Sequence, residues 1–261
     1  MRKGARTALV GAAAAAVLVA ACGSSSNTNA ANAKSVAVQP ATSTTQPNAI
    51  GLRVNADEKA EQVPDRPLTP AQQKQLALQL AVARATALKF PTVSAITKAG
   101  YILAGEFTPG AGAHYVSITG ASKAYLYRGT QVDPTEPLSY IFEGSAPTSK
   151  IVGLMYASFA TQPPAGFAGP NDHWHRHTNL CVTFAKGAIG IPYPPDSDVT
   201  KAQCSALKGM FMRRTFWMLH AWVVPGWTSR TGVFAHANLD LHCADGTDNT
   251  DTTGFCKGAS A

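Results

Sequence analysis

Residues 172–184 read DHWHRHTNLCVTF and place a histidine at every second position before continuing in apolar and β-branched side chains. Successive side chains of a β-strand point to opposite faces, so His173, His175 and His177 would share one face of such a strand. The other face would carry large apolar side chains, namely Trp174, Leu180, Val182 and Phe184. The stretch therefore predicts a strand over 173–184, with one face in the core and a row of imidazoles on the other.

The segments around this strand predict an α+β fold. Short β-rich runs separated by Gly and Pro follow a helical region, at 114–119, 125–127, 138–142, 151–159 and 216–224. In the helical region, Thr69 is a good N-cap and Pro70 suits the first position of a helix that would reach Lys89. Further short helices are expected over 92–98 and 200–212. We therefore expect an N-terminal helix or helical pair followed by a mostly antiparallel β-sheet or sandwich.

The N-terminus has the pattern of an export signal. Residues 1–21 begin with three basic side chains, Arg2, Lys3 and Arg6, and continue in an apolar segment over 8–20. That segment is too short and too rich in Ala for a confident membrane-spanning helix, which needs about 20 predominantly apolar residues. We therefore expect cleavage of this segment and export of the rest of the chain.

The end of the export signal resembles the lipobox of bacterial lipoproteins. Residues 18–22 read LVAAC and are followed by Gly and three Ser. The resemblance implies that Cys22 is acylated, for example with palmitate, and becomes the mature N-terminus of a protein anchored in the cell membrane and facing away from the cytoplasm. The alternative is an ordinary signal peptide cut near Ala21, which would leave Cys22 as a free thiol.

Composition divides the remainder into a tether and one globular domain. Residues 22–65 are rich in Ser, Thr, Asn and Pro and poor in large apolar side chains, which predicts a flexible tether. Residues 66–261 are expected to form a single α+β domain. The formal net charge is +7, but loss of three of the 22 basic residues with the signal leaves 19 against 15 acidic ones. This scattered surplus argues against a nucleic-acid partner.

The five cysteines fit an exported protein. Lipidation would use Cys22, and the remaining four would form two disulfides in an oxidising compartment. Three pairings are possible, and we favour Cys181 with Cys204 and Cys243 with Cys256 because each closes a short segment. Thiolate metal ligation is the rival interpretation, but the sequence contains no C-x-x-C spacing.

The alternating histidines predict a transition-metal site. A strand rises about 3.3 Å per residue, so two neighbouring histidines of the row can converge on one ion whereas all three cannot. We expect His175 and His177 as ligands, with His220 from another strand as the third. Possible fourth ligands are His114, His173 and His236. Three imidazoles with an open coordination position suit Zn, Cu or Fe.

The function of such a site stays open between three classes. The chain could be a metal-binding lipoprotein, a metal-dependent enzyme that uses the open position, or a metal-free structural or ligand-binding surface lipoprotein in which the histidines are merely hydrogen-bonded. The common signatures of serine hydrolases, nucleotide-binding loops and zinc proteases are not present in the sequence. Four tryptophans between 174 and 227 could line a pocket for a small molecule of unknown identity.

Three histidine motifs resemble those of largely uncharacterised bacterial extracytoplasmic lipoproteins. They are GAHY at 112–115, WHRHTNLC at 174–181 and MLHAWVVP at 218–225, and the similarity would cover roughly residues 70–245. The resemblance implies that the three motifs occur together, and it brings no established activity. The His-x-His pair is also similar to the metal motif of cupins, but no Glu follows it here, and Asn179 and Cys181 occupy the next positions of the same face.

Overall fold

The computed structural model describes residues 52–54, 60–62, 65–117, 132–185, 188–195, 197–244, 246 and 255–256. These residues fall within one compact unit, 45–261, and a second unit, 1–44, lies outside them. The predicted export signal, Cys22 and the predicted strand over 125–127 also lie outside the described residues. Within those residues, no helix has the length and apolar character needed to cross a membrane.

The described elements are helices and short strands in mixed order. The helices are α1 (Pro70–Ala87), α2 (Val93–Lys98) and α3 (Lys201–Ala206). The first strands are β1 (Leu52–Val54), β2 (Ala60–Gln62), β3 (Tyr101–Leu103), β4 (Ala113–Ser117) and β5 (Ser139–Phe142). The later strands are β6 (Ile151–Ser158), β7 (Thr178–Ala185), β8 (Ala188–Gly190), β9 (Met210–Arg214) and β10 (Trp217–Ala221). The predicted α+β class is confirmed, and β1 and β2 lie within the segment for which a tether was expected.

Helix α1 begins where the sequence predicted. The Thr69 side chain accepts a hydrogen bond from the Gln72 backbone N–H, and the Gln72 side chain accepts one from the Thr69 backbone N–H, which completes a capping box. Pro70 occupies the first turn, where its missing N–H leaves no bond unmade. The helix buries a narrow face of small side chains, including Ala83 and Ala87, so the chain can pack closely against β6.

Strands β3 to β10 form two antiparallel sheets, and β1 pairs with β2 in a separate two-stranded sheet. The larger sheet has the order β10-β6-β5-β4-β3 and the smaller one the order β8-β7-β9. A parallel bridge between Ala104 and Ile189 links the edge beside β3 to β8. His175, which lies three residues before β7 begins, makes an antiparallel bridge to Met218 of β10. The two sheets are therefore linked through these two bridges.

The larger sheet is covered on both faces. One face packs Tyr140, Leu154 and Leu219 against the two N-terminal helices and carries the larger apolar cluster. The opposite face carries a smaller apolar cluster, which includes Met155 and Trp222 and is covered by residues of the chain after β10. Because side chains alternate along a strand, His114 on β4 and His220 on β10 point to this second face.

The strand predicted over 173–184 differs from the observed β7. Before residue 178 the chain pairs with the connection into β10, since His177 N–H bonds Thr215 Oγ1 and Thr215 N–H bonds the His177 carbonyl. From Thr178 onward it pairs with β9, and Asn179 adopts a left-handed backbone with φ 55°. The strict alternation therefore fails at the far end, where Phe184 is 66% exposed instead of buried.

The region after α3 corrects a second prediction. The helix expected over 200–212 ends at Ala206, and β9 begins at Met210. Between them Gly209 packs against a disulfide, because a Cβ at this position would lie 2.6 Å from the Cys181 sulfur and 2.8 Å from the Cys204 sulfur. The helix ends because Lys208, just before this glycine, has a left-handed backbone with φ 54°. Strands β3 and β8, each three residues long, were not predicted.

The four described cysteines form the two disulfides that we favoured. Cys181 on β7 is bonded to Cys204 on α3, and both side chains are fully buried. Cys243 is bonded to Cys256. The first bond holds α3 against the smaller sheet, and the second closes a short loop near the C-terminus. Both are compatible with an oxidising compartment.

Candidate metal centre

Three imidazoles converge beside the edge of the larger sheet. They belong to His175, His177 and His236, and one ring nitrogen from each lies within 4.8 Å of the other two. His175 and His177 come from the chain just before β7, and His236 comes from the chain that follows β10. An ion about 2.0–2.1 Å from each nitrogen needs the rings to move inward by less than about 1 Å. These residues could therefore hold a single transition-metal ion.

His175 is held with one nitrogen directed at the other two rings. Its backbone N–H and carbonyl both bond Met218, which fixes the residue against β10. The ring Nδ1 lies 3.3 Å from the His173 carbonyl, and because a carbonyl only accepts, Nδ1 carries the proton. The lone pair is then on Nε2, which is buried and has no hydrogen-bond partner among the described residues. Such a nitrogen is suited to bind a metal ion.

The environment keeps the His175 ring neutral. Burial is the largest cause of a pKa well below the ordinary value, and the neighbouring rings of His236, His220 and His177 lower the pKa further. A metal ion therefore need not displace a proton from this ligand at neutral pH. The His175 and His236 ring centroids are 4.3 Å apart, and those of His175 and His177 are 5.5 Å apart.

The chain that carries His236 is fixed by hydrogen bonds to three successive carbonyls. Trp222 Nε1–H donates to the Ala235 carbonyl at 2.8 Å, and Ser229 Oγ donates to the Ala237 carbonyl at 3.1 Å. Between them, the Nδ1–H of His220 donates to the His236 carbonyl at 2.6 Å. The backbone on both sides of the ligand is therefore anchored to fixed groups, so the His236 ring can be presented in one position.

His220 lies behind the three-ligand group, where we expected it to be the third ligand. As predicted, it shares a sheet face with Met218 and Trp222, and its ring centroid is 5.0 Å from that of His175. The converging set nevertheless contains His236 in its place. The His220 ring instead lies beside the chain that carries His236 and donates its Nδ1–H to the His236 carbonyl. Burial lowers the pKa of His220 well below its ordinary value, so the ring is neutral.

His114 and His173 lie outside the three-ligand group. Both nitrogens of His114 are used, because Nε2–H donates to the Ala111 carbonyl at 3.2 Å and Nδ1 accepts from Ser139 Oγ at 3.0 Å. Burial lowers the pKa of His114 to about 4. The buried His173 ring bonds a carboxylate, with Nε2 2.8 Å from Asp65 Oδ1. No sequence pattern indicated this contact, because Asp65 stands at the end of the predicted tether.

The donor set consists of three imidazole nitrogens. Imidazole is a ligand that suits Zn, Cu and Fe, and a three-ligand set leaves at least one coordination position open. His175 is fully buried, whereas His177 and His236 are only partly buried. Comparisons of this chain with protein-family models, with curated proteins and with solved structures gave no match in any of the three.

Proposed function

We propose that this chain is an extracytoplasmic, membrane-anchored lipoprotein whose globular domain binds one transition-metal ion through His175, His177 and His236. One observation carries the metal site, namely the buried Nε2 of His175, which has no hydrogen-bond partner among the described residues and belongs to a group of three mutually close ligand atoms. Leaving a buried polar nitrogen without a partner costs about 1–3 kcal/mol, and a metal–nitrogen bond removes that penalty.

The experiment is a metal titration of the purified full chain after treatment with a chelator. We expect one equivalent of Zn, Cu or Co to bind, and we expect His175→Ala, His177→Ala and His236→Ala each to remove stoichiometric binding. The matched control is His242→Ala, because His242 is exposed and lies outside the group. If the wild-type chain binds none of these metals, the metal site is contradicted and the hypothesis of a structural or ligand-binding lipoprotein remains.

The proposed lipid anchor is supported by the sequence of residues 18–22, and the two disulfides are compatible with a location outside the cytoplasm. We expect the chain expressed in a bacterial host to appear in the membrane fraction, and Cys22→Ser to move it to the aqueous fraction. A wild-type chain found wholly in the aqueous fraction contradicts the anchor and leaves the metal site unaffected.

A second candidate is a metal-dependent enzyme at the same site. It is favoured by the open coordination position, by the partial exposure of His177 and His236, and by the carbonyl that orients His175. A metal ion in such a site lowers the pKa of a bound water and supplies a nucleophile. The zinc-loaded chain is then expected to hydrolyse the test ester p-nitrophenyl acetate faster than His236→Ala and faster than the chelator-treated chain. Equal rates for all three contradict the hydrolytic form of this hypothesis.

A further inference from the structure

We propose that Asp65 is a positioning residue for the metal centre, which it controls through His173. The inference rests on the proposed function, since it concerns how His175 and His236 are held for a metal ion. Asp65 is not part of the three-ligand group and lies five residues before the start of α1. Three sets of contacts connect it to the ligands.

The first connection is a charged hydrogen bond. Asp65 Oδ1 lies 2.8 Å from His173 Nε2, and the His173 side chain is fully buried while that of Asp65 is 41% exposed. Because the carboxylate accepts the Nε2–H of the ring, the imidazole of His173 is held in one tautomer and one orientation. The segment that precedes the ligands is thereby fastened at residue 173.

The second connection runs from His173 to the first ligand. The His173 backbone carbonyl accepts the Nδ1–H of His175 at 3.3 Å. A partner on the distal nitrogen fixes the tautomer and orientation of a ligating imidazole and raises its basicity. The position of this carbonyl depends on how residue 173 is held, so a loose His173 ring would allow the His175 ring to turn away from the other two.

The third connection reaches the chain that carries His236. Asp65 Oδ2 lies against Gly232, where a Cβ would be 2.8 Å from the oxygen, and Gly232 has φ +119°. Gly232 stands four residues before His236, and its N–H bonds the Ser229 carbonyl. The carboxylate therefore touches both of the segments that supply ligands, one through a hydrogen bond and the other through close packing.

Asp65 is itself held in place by its neighbours. Arg66 N–H donates to Asn171 Oδ1 at 2.8 Å, and Asn171 Nδ2–H donates to the Arg66 carbonyl at 3.0 Å. This reciprocal pair fastens the incoming chain next to the ligand segment independently of the Asp65 side chain. The arrangement has the form of an outer-shell support, whose loss typically lowers metal affinity by about 10- to 100-fold.

The test compares metal affinity with stability in variants of the full chain. We expect Asp65→Ala to weaken Zn and Co binding by about 10- to 100-fold and to change the visible absorption of bound Co, because the ligand geometry changes. Asp65→Asn keeps the size and an accepting oxygen, so we expect a smaller loss. The charge-matched control is Asp133→Asn, which alters a carboxylate that bonds Thr135. It is expected to bind as the wild type does.

Urea unfolding of the metal-free variants separates positioning from mere folding. We expect Asn171→Ala, which breaks the reciprocal pair, to reduce stability, and Asp65→Asn to reduce affinity with little change in metal-free stability. If the wild type binds metal and Asp65→Ala binds it equally tightly with the same Co spectrum, the inference is overturned and the metal site stands. It is also overturned if the affinities of all variants simply follow their stabilities. A wild type that binds no metal removes the metal site and this inference together.

Discussion

At the scale of single residues, the histidines on and near the second sheet face make different contacts. His175 and His236 belong to the three-ligand group, whereas His220 donates its Nδ1–H to the backbone of His236. His114 is saturated by Ser139 and by a backbone carbonyl. The same side chain therefore belongs to the three-ligand group, holds the neighbouring chain or bonds within the core according to the groups that surround its two nitrogens.

This division of roles gives the first prediction. We expect His236→Ala to abolish stoichiometric zinc binding, because it removes a ligand, and His220→Ala to weaken binding by about 10- to 100-fold, because it removes a support. Competition with a coloured chelator measures both affinities. Equal, complete loss in the two variants would show that His220 is a ligand in solution and would contradict the assignment.

A second prediction concerns the buried Asp172. Its Oδ2 accepts the Phe167 N–H at 2.7 Å, and burial raises the pKa of the carboxyl well above its ordinary value. The folded chain therefore keeps a proton that the unfolded chain has lost above about pH 4, so this group destabilises the fold as pH rises. We expect Asp172→Asn to raise the free energy of unfolding at pH 7 by more than it does at pH 4. A variant that is less stable than wild type at pH 7 would contradict this.

At the scale of elements, the link between α3 and β7 is the Cys181–Cys204 disulfide. The two cysteines are 23 residues apart in sequence, and loop-closure entropy for that length corresponds to about 3 kcal/mol. We expect the double variant Cys181→Ala and Cys204→Ala to lose stability of this order in urea unfolding. In a chain that carries Cys243→Ala and Cys256→Ala, and so keeps only the first disulfide, adding a reducing agent should give the same loss. A double variant as stable as the wild type contradicts it.

Elements with local signals were predictable from the sequence. The start of α1 was predictable because Thr69, Pro70 and Gln72 complete a cap within four positions. The start of β7 at Thr178 was not predictable. At that point the chain changes its pairing partner from the connection into β10 to β9, and Asn179 has a left-handed backbone. Pairing partners are chosen by tertiary contacts, which no local pattern contains.

The candidate site divides in the same way. His175 and His177 could be predicted because they are two residues apart and their spacing is local. The choice of His236 over His220 depends on a hydrogen bond between residues 16 apart, and Asp65 meets His173 across 108 positions. Such contacts are properties of the folded chain, so the sequence could name both His220 and His236 as candidates but could not show which of them lies close to both His175 and His177.

At the scale of the whole molecule, a bound metal would connect two segments that are distant in sequence. His175 bridges the edge of the larger sheet, and His236 lies in the chain after the last strand. A ligand that binds only the folded state adds about 2.7 kcal/mol of stability when its free concentration is 100 times Kd. We expect zinc at that concentration to raise the unfolding free energy of wild type and His242→Ala by this amount. His236→Ala should not respond, and an equal response there would mean that zinc stabilises the fold elsewhere.

The make-up of the ligand group has one more consequence. Each of the three rings is uncharged when it binds, and the group contains neither a carboxylate nor a thiolate. A Zn²⁺ ion held there would keep its full double charge, since nothing in its immediate coordination neutralises it. Chloride, bicarbonate or hydroxide from the surroundings would then be drawn to the vacant side of the ion, so the anion content of the buffer should change how tightly zinc is held.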